Sequence, residues 1–178
     1  MKLVCLGLNH ETAPVEVRER FALSEKALDR EVVSLLEAKD IEEGVVLSTC
    51  NRTEYYAVVN GGSGAAELES WICGQREFDG SREGIFYSYE AREAAEHLCR
   101  VASGMDSMVL GETEIFGQVK RAYQRSLDGK ATKGVLNRLF QRTFSVGKRV
   151  RNQTGIQEGA TSVAGSSVEL AEKVFGRL

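Results

Sequence analysis

The chain has 178 residues, 42% of them hydrophobic and 28% charged, enough for one ordinary core and an appendage. No apolar run approaches the roughly 18 residues of a membrane span. The opening MKLVCLGLNHE has one basic residue and too short an apolar run for a secretory signal, so a cytoplasmic protein with no membrane partner is expected. The net charge of −3 hides a polarity, because residues 1–117 carry −11 and residues 118–151 carry +9. Such a basic segment points to a polyanion such as nucleic acid, or to a solvated helix face balanced against the acidic part of the fold.

In chain order, LVCLGLN (3–9) reads as a short apolar strand, and HETAP (10–14) as a connection holding the single proline. Residues 26–38 place Leu28, Val32, Leu35 and Leu36 at helical spacing, with Ser24 as N-cap. Glu42, Glu43 and Gly44 read as a turn into the buried strand VVLST (45–49), and TEYYAVVN (53–60) is a second strand rich in β-formers. After the GGSG loop (61–64) come a helix through Leu68, Trp71 and Ile72, a polar loop over 75–83, and a strand over 85–89. Strand, helix, strand, strand, helix, strand is the split βαβ, ferredoxin-like pattern of an antiparallel α+β domain. Additional C-terminal helices are expected over 91–103, 112–127 and 132–151, closing a domain near Arg151. Residues 152–162 read as a linker, and Val163 starts an amphipathic helix that needs a partner for its apolar face.

Four cysteines, Cys5, Cys50, Cys73 and Cys99, are widely spaced and form no C-x-x-C pair, which argues against a zinc knuckle, a redox motif or a disulfide framework. Cys5, Cys73 and Cys99 are read as small buried hydrophobes. Cys50 differs, because an apolar strand delivers it directly to Asn51, Arg52 and Glu54. If the strand continues, Arg52 shares its face and either activates the sulfur, forks onto a substrate carboxylate, or pairs with Glu54. His97, one of two histidines, is either a structural residue on its helix or the proton donor and acceptor for a thiol site. Between the helices, Ser107, Glu112 and Gln118 offer hydrogen bonds near a site, although Glu112 also suits a helix N-terminus by charge alone. Arg138, Arg142 and Arg149 share one helix face, which Lys133 and Arg151 extend, and this strip suits phosphates. No P-loop is present, no G-x-G-x-x-G follows a strand, and no metal site is expected.

Three segments, GLNHETAPVEVRE (7–19), STCNRTEYY (48–56) and HLCRVASGMDSMVLGETEIFGQVKRAY (97–123), together resemble the glutamyl-tRNA reductase family, in order over residues 3 to about 170. The resemblance implies that Cys50 attacks the ester joining glutamate to its tRNA, that a thioester forms, and that NADPH then reduces it to glutamate-1-semialdehyde, the first step of the five-carbon route to tetrapyrroles such as haem. It implies that Thr49, Arg52, Ser107, Glu112 and Gln118 line the glutamate site. His97 becomes a candidate for acid–base work, and Arg138, Arg142 and Arg149 fall on the tRNA-facing surface. Residues 1–151 would be the catalytic unit and 152–178 the connection toward an NADPH domain beyond Leu178. The family's homodimer forms through a region that this stretch does not include. Feedback by haem is a family theme, with Cys5, His10 and His97 unranked as ligands. Two other classes remain, a non-catalytic tRNA-binding or regulatory module and a cysteine esterase acting on simple glutamyl esters. The intact S-T-C-N-R motif favours the reductase, since a module has no need of the thiol.

Overall fold

The computed structural model describes residues 1–61, 64–158 and 162–176. Strands β1 (Lys2–Asn9), β2 (Ile41–Ser48), β3 (Arg52–Val59) and β4 (Tyr87–Glu90) form one sheet in the order β2-β3-β1-β4, with every neighbouring pair antiparallel. Helices α1 (Val15–Phe21) and α2 (Glu25–Glu37) join β1 to β2, and α3 (Gly64–Gln75) joins β3 to β4. The expected split βαβ topology is therefore present. Helices α4 (Ala91–Ser103), α5 (Glu114–Asp128), α6 (Gly134–Gln153) and α7 (Val163–Phe175) follow. Parts of the expected 61–64 loop, the 152–162 linker and the last two residues of the final helix lie outside the described residues.

Side-chain alternation divides the sheet between two cores. Val4, Leu6, Val46, Tyr55 and Ala57 face α2 and α3, whereas Cys5, Val45, Leu47, Tyr56 and Val58 face α4, α5 and α6. Both faces are covered, and β3 is buried along its whole length. This explains why VVL and YYAVV read as unbroken apolar runs rather than as alternating ones.

Two elements differ from the sequence reading. Directly after the 10–14 connection, where the sequence reading assigned no element, lies the seven-residue helix α1, with Pro14 as N-cap and Phe21 buried. Pro is suited to a helix start, where its missing N–H costs nothing. Residues 42–44 are not a turn but part of β2, with an irregularity between Ile41 and Glu43. That bulge turns the carboxylate of Glu43, 1% exposed, onto the start of α6. There it accepts from the backbone N–H groups of Lys133 (2.7 Å), Val135 (3.0 Å) and Leu136 (2.9 Å). No side chain near Lys133 caps this helix, so a residue 90 positions earlier does the work. Glu43→Ala is expected to cost about 2–4 kcal/mol, because it leaves several buried donors without an acceptor. An unchanged urea midpoint would show that water satisfies these donors.

Candidate functional site

The link between β2 and β3 is three residues, and its side chains and backbone lock it. Thr49 N–H donates to the Arg52 carbonyl at 2.8 Å, and Thr49 Oγ1 accepts from the N–H groups of Asn51 and Arg52, each at 3.2 Å. From α1, Arg18 Nη1 donates to the Cys50 carbonyl (3.0 Å) and to Asn51 Oδ1 (3.3 Å). Cys50 thus sits exposed at the tip of a turn gripped from both sides. The thiol is fixed in place rather than carried on a loose loop.

Behind it, Arg52, Glu54 and Tyr56 project from one face of β3. Glu54 is fully buried and is the hub of the site. Its Oε1 accepts from Arg52 Nη1 (2.7 Å), Tyr87 Oη (2.6 Å) and His97 Nε2 (2.9 Å), and its Oε2 accepts from Tyr56 Oη (2.6 Å). Gly7 lies opposite Glu54 on β1, and a Cβ there would come within 2.8 Å of Glu54 Cγ, so only glycine leaves room for this carboxylate. Arg52 Nη2 donates to the Asp106 carbonyl. The Asp106 carboxylate meets His97 Nδ1 (3.5 Å) and Arg100 Nη2 (2.7 Å). Arg52 is paired with Glu54, and each of its terminal nitrogens donates to a protein acceptor.

Burial opposes ionisation of Glu54, yet Arg52 and then His97 outweigh it and hold the carboxyl well below the usual range. For His97, burial works against the proton, but the Asp106 and Glu54 carboxylates prevail and push the ring up to about 9. Asp106 is drawn down to about 2, against its partial burial, by His97 and Arg100. At neutral pH His97 is therefore an imidazolium with a carboxylate on each nitrogen, a donor with no lone pair to offer. Its stabilising contribution is complete below its ordinary 6.5 and is lost as pH rises through about 9. The contribution of Glu54 is complete above its ordinary 4.5 and is lost as pH falls below it. The melting temperature is expected to be highest between about pH 5 and 6.5 and to fall by several degrees toward pH 9.5, with His97→Gln flattening the alkaline decline. A Tm that rises above pH 8 would contradict this arrangement.

The sequence profile of "Glutamyl-tRNAGlu reductase, N-terminal domain" matches residues 6–154. The chain belongs to that family. It is 50% identical over its whole length to a glutamyl-tRNA reductase of Akkermansia muciniphila, of which it covers 53%, and 48% identical to one of Stenotrophomonas maltophilia, of which it covers 40%. Among solved structures, glutamyl-tRNA reductase from Methanopyrus kandleri superposes with a TM-score of 0.74 at 36% identity, covering 99% of this chain and 41% of that one. The chain thus spans about half or less of the length of these relatives.

Within this reductase domain, the residues singled out by sequence fall into three places. Arg52 and His97 contact Asp106, Ser107 follows it in the chain, and Glu112 lies within reach of the charge of Arg52. Ser107 and His97 line a polar groove of about 600 Å³. Burial and Glu114 raise the carboxyl of Glu112 above its ordinary value, while Arg52 and Ser107 oppose them. Thr49 shapes the Cys50 turn, and Gln118 lines a smaller crevice of about 90 Å³ beside Ser48. Arg138 and Arg142 edge a third groove with Met1 and Leu3, at the far end of β1. The strand from Leu3 to Asn9 puts that groove about 20 Å from the Cys50 end. Arg149 is exposed nearer the C-terminal end of α6. Arg151 does not extend the basic strip. It turns inward, donates to the carbonyls of Ala102 (3.1 Å) and Glu112 (3.4 Å), and stacks over Phe116. It thereby ties down both ends of the 104–113 segment. Gly111 in that segment has φ 77° and lies so close to the Ile156 carbonyl that a Cβ would overlap it.

Arg18, Asp106 and Tyr87 were not found from the sequence as parts of the site, and Glu54 was read only as a possible ion-pair partner of Arg52. The available signal was a carboxylate two residues from Arg52 inside an otherwise apolar strand. Among the described residues, Cys5, Glu54 and His97 place potential metal-ligand atoms within 4.8 Å of one another. However, Arg52 and three further donors already occupy the Glu54 carboxylate, so this donor set is built around a fixed guanidinium rather than a metal ion.

Proposed function

We propose that this chain carries the acyl-transfer half of the glutamyl-tRNA reductase reaction, with residues 1–151 as the catalytic unit and 152–178 as a connection. The observation that carries the reading is an exposed Cys50 on a turn clamped by Thr49 and Arg18, against a buried Arg52–Glu54–His97–Asp106 array. Cys50 sulfur adds to the carbonyl carbon of the ester between glutamate and the tRNA 3′ end. The tetrahedral adduct expels the ribose oxygen, and glutamate remains as a thioester, which is more electrophilic than the ester it replaces. Glu112, Ser107 and Thr49 supply polar groups for the glutamate head, with Glu112 suited to its ammonium and Gln118 flanking from α5. Arg52 and His97 act by position: they hold Asp106, and with it Ser107, beside the buried Glu54.

NADPH supplies the hydride when bound. The described residues contain no strand, glycine-rich turn and helix that would seat a dinucleotide, so they do not fit that group and only acyl transfer is derived for them. No helix among the described residues is long and apolar enough to cross a membrane. A non-catalytic binding module would have no use for a clamped, exposed thiol, which favours the enzyme reading.

The test is to mix the chain with radiolabelled glutamyl-tRNA without NADPH, quench in acid and map the label by peptide mass. Label on the Cys50 peptide is expected. Bound tRNA with no label would reduce the chain to a binding module. For the tRNA surface, α6 carries Arg138, Arg142 and Arg149 over about 16 Å of helix rise. Arg138→Glu with Arg142→Glu is expected to weaken tRNA binding and to flatten the log K against log salt slope by about 2. An unchanged slope would remove both residues from the RNA surface.

A further inference from the structure

The acyl-transfer reading leaves one proton without a carrier. Cys50 must lose a proton before its sulfur can attack, and the departing ribose oxygen must gain one. His97 is the residue a sequence reader would choose, but both of its nitrogens donate to carboxylates and neither accepts. The chain has only one other histidine, His10.

His10 is held at the Cys50 end of the sheet. It follows Asn9, which pairs with Arg52 at the last rung of the β1–β3 ladder. A tight turn fixes it: Asn9 Oδ1 accepts from the N–H groups of Glu11 (2.9 Å) and Thr12 (3.1 Å), and Asn9 N–H donates to Thr12 Oγ1 (3.1 Å). Three charged groups act on its ring, Glu11 from the same turn, Arg52 from β3 and Arg18 from α1. Arg18 is the side chain that grips the Cys50 carbonyl. His10 Nδ1 is buried and has no hydrogen-bond partner among the described residues. Burial, helped by Arg52 and Arg18 and opposed by Glu11, lowers the ring below its ordinary value and leaves it mostly neutral at pH 7. A neutral imidazole keeps one lone pair, which His97 lacks.

We propose that His10 is the proton carrier of the site, taking the thiol proton of Cys50 as sulfur attacks and returning it to the leaving oxygen. The proposal rests on the acyl-transfer reading of Cys50. In the first half-step the S–H bond breaks, an S–C bond forms to the acyl carbon, and the proton moves to the His10 imidazole. In the second the C–O bond of the ester breaks, and the same proton passes from the imidazolium to the ribose oxygen. Nothing is oxidised or reduced. The two histidines would then divide the work, His97 as a positioning residue charged at neutral pH and His10 as the one that cycles.

The test uses p-nitrophenyl acetate, which carries neither glutamate nor RNA, and follows the burst of p-nitrophenolate together with acetyl on the Cys50 peptide. The wild-type chain is expected to acetylate Cys50 with a rate that climbs through a limb below pH 6.5 and slows in D2O. His10→Asn is expected to retain its circular dichroism, lose about a hundredfold in burst rate together with that limb, and regain rate with added imidazole. A wild-type rate and limb in His10→Asn, or a loss that imidazole does not restore in a folded protein, overturns the proposal. So does a wild-type chain that fails to acetylate Cys50. Should the variant not fold, the wild-type isotope effect decides, because a burst that is not slowed in D2O leaves no proton in flight. An acetyl burst that depends on His10, alongside no capture from glutamyl-tRNA, would refute the substrate and leave the proton route standing.

Discussion

Glu54→Gln is expected to destabilise the domain by about 3–5 kcal/mol, the cost of removing one partner from a buried ion pair. The substitution keeps the shape of the side chain, so the loss would be electrostatic. Arg52, 3% exposed, would keep its charge with no anion beside it, because its remaining contact is the Asp106 carbonyl. His97 would lose one of its two carboxylates, and its titration, followed by NMR, should move down from about 9. Tyr56 and Tyr87 would each lose a charged acceptor. Replacing both ends, Arg52→Met with Glu54→Gln, is expected to recover part of the loss, since a neutral pair no longer strands a cation. A urea midpoint for Glu54→Gln close to that of the parent would mean that water reaches the guanidinium.

Cys50→Ser should leave the fold alone and end the chemistry. The side chain is exposed and its turn is held by backbone and Thr49 contacts, so the stability change should stay within about 0.5 kcal/mol. Acyl capture from glutamyl-tRNA should vanish, because a serine hydroxyl without a strong base is a far poorer nucleophile than a thiolate. A serine variant that still carries label would place the nucleophile elsewhere. The pairing of an unchanged melting curve with lost capture separates a chemical role from a structural one.

The sheet and its order were legible because each strand carried an apolar run and the turn residues fell between the runs. Helix α1 was not, because V-E-V-R-E-R-F alternates like a strand and is only seven residues long. Only the burial of Phe21 against Phe78 and Phe86 shows which way it folds. Glu42–Gly44 read as a turn because two acids and a glycine rarely lie in a strand, and the partner that justifies Glu43 there is 90 residues away. In the site, Cys50 and Arg52 were visible as types in a pattern. The surroundings of Arg52 were not, because Tyr56, Tyr87 and His97 converge from three elements on the same Glu54 carboxylate that Arg52 meets. Arg18 escaped for the same reason: its contacts to Cys50 and Asn51 span 32 and 33 residues.

The cap that Glu43 places on α6 also has a consequence for synthesis. On a ribosome adding about 5–20 residues per second, the 90 residues between Glu43 and Lys133 take roughly 5–20 s to make. By residue 90 all four strands exist, while the helices that cover Cys5, Val45, Tyr56 and Val58 have yet to emerge. For those seconds the strand residues exist without the helices that cover one of their faces, and Glu43 exists without the donors it caps. The nascent domain is most prone to stick to its neighbours in that interval, and the arrival of α6 ends it.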